Sequence, residues 1–64
     1  MAIHLKAARV NAGLTQNDVC LRINISKNTL ISYEKYKSVP DIETAKKLAE
    51  LYGMPVDNII WSAE

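Results

Sequence analysis

A chain of 64 residues is one domain near the lower limit of unaided folding, because a domain of that size buries only roughly 60% of its unfolded surface and needs an efficient core. Apolar residues make up 48% of it, charges are mixed, and there are two glycines and two prolines, which excludes a disordered tail. Eight basic residues against seven acidic ones leave a formal charge of +1, which excludes a partner held by overall basicity and leaves room only for a local patch. Such a patch requires Lys6, Arg9, Arg22, Lys27, Lys35, Lys37, Lys46 and Lys47 to gather while Glu43, Glu50, Asp57 and Glu64 lie elsewhere.

The first predicted element is a helix whose stripe Leu5, Ala8, Arg9 and Ala12 recurs at three and four residues and stops at Gly13, where a left-handed cap fits. "LTQND" then reads as a helix start: Thr15 caps, and Asp18 three residues on returns a bond and suits the positive helix end. The second helix runs from about Gln16 to Ile23, with Val19, Cys20 and Ile23 inward. Asn24 tolerates positive φ and makes the turn, Ile25 fills core, and Ser26 caps the third helix. On a wheel from Lys27 to Tyr36, Leu30 and Tyr33 fall together with Glu34 at their edge. Asn28, Ser32 and Lys35 fall opposite, with Ile31 beside them on the outward side. Pro40 and Asp41 start a fourth helix, whose stripe Ile42, Ala45, Leu48, Ala49 and Tyr52 is closed by Gly53. After "MP", the apolar stretch Val56 to Trp61 is expected to add a last helical turn or two. No stretch alternates, so no sheet is expected, and the fold class is all-α with five short helices in a single domain, 1–64.

Two short helices joined by a tight turn form a helix-turn-helix unit, here spanning about 16–36. The stretches "LKAAR", "GLTQNDV", "INIS" and "YEK", followed by the Pro40 helix and "YGMPVDNII", resemble the Cro and lambda-repressor type (XRE family) of helix-turn-helix DNA-binding domain over nearly the whole chain. The resemblance implies double-stranded DNA as partner and transcriptional regulation, most simply repression, as the role. By position it implies that Lys27, Asn28 and Ser32 face bases, that Gln16 meets phosphate and braces the recognition helix, and that Thr29 and Lys35 meet the DNA backbone. It also implies an ion pair between Arg9 and Glu34 that joins the first helix to the end of the third. The chemistry suits these roles: Lys donates to guanine O6 and N7, and Asn pairs bidentately with adenine N6 and N7. The chain departs from the family pattern at Asn24, which stands for the usual turn glycine, at Cys20, which stands for an alanine between the helices, and at Tyr36, which stands for a common glycine after Glu34. The last bears on how the chain leaves the third helix.

The lone Cys20 has no disulfide or CxxC partner, and "MAIHLKAARV" lacks a signal-peptide core, so a cytoplasmic location is expected. Neither His4 nor Cys20 has partners at ligand spacing, and no carboxylate pair, phosphate loop or Ser/His/Asp set is evident; no metal, cofactor or enzyme activity is expected. Ile59, Ile60 and Trp61 offer a dimer surface, and a two-fold homodimer implies a pseudo-palindromic operator with half-sites about 34 Å apart. The alternative is that the same fold holds a partner protein, alone or as an antitoxin, through Leu21, Ile31 or the C-terminal apolar group.

Overall fold

Residues 1–63 are described by the computed structural model; Glu64, one of the acids named above, lies outside the described residues. Four α-helices form, α1 (Leu5–Asn11), α2 (Gln16–Ile23), α3 (Lys27–Glu34) and α4 (Ile42–Tyr52). Local chemistry sets their starts. The Asp18 N–H donates to Thr15 Oγ1 at 3.1 Å and the Thr15 N–H donates to Asp18 Oδ2 at 2.9 Å, a reciprocal box that occupies two orphan donors of α2. At α3 the Thr29 N–H donates to Ser26 Oγ at 3.1 Å.

Each helix is followed by a residue of positive φ: Gly13 at 75°, Asn24 at 58°, Tyr36 at 60° and Gly53 at 71°. That conformation turns the chain back so that the last carbonyls find donors. After α3, the Tyr36 N–H donates to the Tyr33 carbonyl at 3.1 Å and the Lys37 N–H to the Ser32 carbonyl at 2.9 Å. The helix therefore stops at Glu34 instead of running to Tyr36.

The fifth helix expected after Pro55 does not form. Val56–Asn58 makes one 3-10 turn, and Ile59–Ile60 (β2) pairs in parallel with Ile3–His4 (β1), Ile3 against Ile59 and His4 against Ile60. A short segment rich in β-branched residues gains little from helix nucleation, whereas the extended chain before α1 supplies backbone partners. The expectation of no sheet is corrected to this two-residue ladder.

Leu5, Ala8, Val19, Leu30, Leu48, Ala49, Tyr52 and Ile59 form the core, with Cys20, Ile23, Ile25 and Tyr33 packed around it. Fully burying a leucine such as Leu5, Leu30 or Leu48 contributes roughly 1.5–3 kcal/mol, and Leu30 is how α3 is held by its inner face. Two members of the expected stripes leave the core. Ala12 is exposed beyond the last turn of α1, and Ile42 is 65% exposed in the first turn of α4.

Candidate nucleic-acid interface

The C-terminal end of α3 is fixed by a charge cluster that joins three helices. Arg9 Nε donates to Glu34 Oε2 at 2.7 Å and Arg9 Nη2 to Glu34 Oε1 at 3.3 Å, while Arg9 Nη1 donates to the Leu14 carbonyl at 3.0 Å. Gln16 Nε2, from the start of α2, donates to Glu34 Oε1 at 3.1 Å. The side chains of Arg9 and Glu34 are only 10% and 4% exposed. Charges that deep are tolerated because each is paired and hydrogen-bonded. One carboxylate thus ties α3 to α1 and to the first residue of α2, and it draws Gln16 inward.

With Glu34 turned in, the outer side of α3 and its exit turn carries cations alone. Residues 27–38 contain Lys27, Lys35 and Lys37, all exposed, and no acid other than Glu34. A near-neutral chain therefore holds a local positive strip. Asn28 is exposed next to Lys27, and Ser32 and Ile31 are half-buried further along. Thr29 is half-buried, and its Oγ1 lies 2.7 Å from Ser26 Oγ, within the cap of its own helix. Of the residues expected to face DNA, Lys27, Asn28 and Lys35 are exposed and Ser32 is half-buried, while Gln16 and Thr29 are committed in part to partners within the chain. At the start of α2, the Thr15 backbone N–H and then its hydroxyl hold the Asp18 carboxyl below its ordinary pKa.

A helix-turn-helix family model matches residues 5–59. The chain belongs to the XRE family of helix-turn-helix DNA-binding domains. It is 37% identical over 60 residues, 94% of its length, to the cryptic phage CTXphi transcriptional repressor RstR of Vibrio cholerae, covering 54% of that protein. To the HTH-type transcriptional regulator ImmR of Bacillus subtilis it is 38% identical over 94% of its length, covering 47% of that protein. An uncharacterized HTH-type transcriptional regulator of Methanocaldococcus jannaschii is 34% identical over 86% of this chain and 83% of its own. The chain spans about half the length of RstR and ImmR. No solved structure matches significantly.

The sequence marks Tyr36 as a departure and Lys37 as a patch candidate, and the structure supplies their placement. Tyr36 Oη lies 2.8 Å from His4 Nδ1 and accepts the Leu5 N–H at 3.3 Å, so the residue that departs from the family pattern reaches back to the start of α1. Lys37 joins Lys35 on the exit turn. Neither was separable by periodicity, because both follow the end of α3. The C-terminal apolar group divides: Ile59 is 4% exposed and part of the core, whereas Ile60 and Trp61 are half-buried, with Trp61 Nε1 donating to the Val56 carbonyl at 2.9 Å. Only Ile60 and Trp61 of that trio leave surface for a second copy. Among the described residues, no helix is long and apolar enough to cross a membrane, and no group of three His, Cys, Asp or Glu stands where it can hold a metal ion.

Proposed function

We propose that this domain binds duplex DNA sequence-specifically as a transcriptional repressor, with α3 in the major groove. Lys27, Asn28 and Ser32 read base edges, and Gln16, Thr29 and Lys35 position the domain on phosphates. The observation that carries the reading is the acid-free outer side of residues 27–38, created when Glu34 turns inward to Arg9. Kinship with a named phage repressor supports repression over other forms of regulation.

The domain measures 27 × 23 × 19 Å, less than the roughly 34 Å of one DNA turn. One copy therefore serves one half-site, and a two-fold pair through Ile60 and Trp61 serves a pseudo-palindrome. Leu21, 84% exposed on α2, favours a second reading in which the domain also holds a partner protein.

Selection of tight binders from a random duplex library at moderate salt tests the proposal, with the Lys27→Ala, Asn28→Ala double variant run in parallel. A motif enriched by the unsubstituted chain and lost in the variant is expected, with a two-fold repeat if the dimer forms on DNA. Asn28→Ala alone relaxes one base position at a cost of about 1–3 kcal/mol. No enrichment, even at low salt, sinks the DNA reading, and salt-insensitive capture of a protein then favours the second.

A further inference from the structure

We infer that Tyr36 is a positioning residue for the phosphate-facing end of α3, acting through a clasp on the start of α1; the inference rests on the DNA-binding reading above. Tyr36 sits at φ 60°, where the other three helix ends use Gly13, Asn24 and Gly53. A Cβ is disfavoured there because it crowds the following carbonyl oxygen, so holding a tyrosine in that position needs a compensating interaction. The phenol makes one. Its oxygen accepts the Leu5 N–H at 3.3 Å and lies 2.8 Å from His4 Nδ1, with the two rings 5.7 Å apart and tilted by 41°. His4 itself supplies no side-chain cap to α1, so a first-turn donor of α1 is capped from the far end of α3. The arrangement that uses each group once runs Leu5 N–H to phenol oxygen, then phenol O–H to His4 Nδ1.

The clasp lies beside the charge cluster and extends it. Glu34 holds Arg9, and Tyr36 holds Leu5, one helical turn away along α1. Along the exit of α3, the Glu34 side chain is buried and Tyr36 is half-buried, while Lys35 between them and Lys37 after them are exposed. Two inward ties thus alternate with two outward cations. Because His4 is also paired with Ile60 through β1 and β2, the tether leads into the β1–β2 ladder and not into a free end. Tyr36 therefore sets how firmly Lys35 and Lys37 are presented to a phosphate backbone, and it leaves the choice of base to residues further back on α3.

The experiment measures thermal stability together with affinity for the selected duplex and for an unrelated duplex across a salt series. It compares the unsubstituted chain, Tyr36→Phe, Tyr36→Gly, His4→Ala and the His4→Ala, Tyr36→Phe double variant. Tyr36→Phe is expected to bind both duplexes about threefold to tenfold more weakly, the worth of one or two hydrogen bonds, with a shallower salt slope and an unchanged motif. His4→Ala is expected to lose a similar factor, and the double variant no more than either alone. Tyr36→Gly separates positioning from folding, since it relieves the left-handed strain yet removes the clasp: stability retained with affinity lost is expected. Affinity that tracks stability, with the glycine variant binding as tightly as the unsubstituted chain, overturns the inference, as does unchanged affinity of Tyr36→Phe or an altered motif. Should the glycine variant fail to fold, Tyr36→Phe decides alone. Absence of selective binding by the unsubstituted chain overturns the DNA-binding reading itself and the inference with it.

Discussion

Tyr52 and Arg9 are both buried polar residues, and their situations differ. Arg9 spends its guanidinium on Glu34 and the Leu14 carbonyl, whereas the Tyr52 hydroxyl is buried with no hydrogen-bond partner. Burial, with a further push from the Glu34 carboxylate, raises the Tyr52 phenol above its ordinary range. An unpaired buried hydroxyl costs its desolvation, so Tyr52→Phe is expected to leave the fold as stable at pH 7 or to stabilise it by about 1 kcal/mol. The sign at high pH follows from the raised value. The fold keeps the phenol neutral, so its contribution is intact below the unfolded pKa near 10 and is lost as pH rises beyond it. Urea unfolding at neutral pH and near pH 10.5 checks both, the phenylalanine variant losing less between them. A clear destabilisation at pH 7 would show that the hydroxyl is bonded after all.

At the level of elements, the caps carry most of what was legible. Thr15, Asp18, Ser26, Asn24, Gly13 and Gly53 were readable from the sequence because a cap involves groups within one turn of each other. The exit of α3 was not readable, since Tyr36 is stabilised by Leu5 and His4 from the other end of the domain. The Thr15 and Asp18 box also yields a pH dependence. The Thr15 backbone N–H, its hydroxyl and, more weakly, Arg22 hold Asp18 below the usual carboxylate value. A depressed folded pKa stabilises above the unfolded value near 4 and loses that contribution as pH falls through the lower one. Thermal melts of the unsubstituted chain and Asp18→Asn between about pH 6 and pH 2 are expected to converge at the acid end. A gap that stays constant across that range would remove Asp18 ionisation from the stability of α2.

Across the whole molecule, the Arg9, Glu34 and Gln16 cluster decides where α3 sits. The sequence resemblance named the Arg9 and Glu34 pair, and the structure adds Gln16 and Leu14 as partners. Glu34→Ala leaves a guanidinium buried without its counter-charge and is expected to cost about 3–5 kcal/mol, enough to unfold much of a domain this small. The double substitution Arg9→Met, Glu34→Leu is expected to recover part of that loss, because an apolar pair avoids the desolvation of both charges. Chemical denaturation of the single and double variants measures the difference. If the double variant is no more stable than Glu34→Ala, the cluster owes its worth to Gln16 and Leu14 and not to the pair.

The sequence by itself determined the four helices and, apart from the exit of α3, their caps, together with the inward set Leu5, Ala8, Val19, Leu30, Leu48 and Tyr52 and the outward positions Asn28 and Lys35. Those features rest on periodicity and on interactions within a turn, which a linear reading samples directly. Only the tertiary structure decided that Val56–Ile60 ends as a turn and a strand, that Ile59 belongs to the core while Ile42 does not, that Gln16 faces Glu34, and that Tyr36 reaches Leu5. Each of these depends on groups far apart along the chain whose pairing outweighs local preference, as the parallel pairing of Ile3 with Ile59 does at the two ends of the domain.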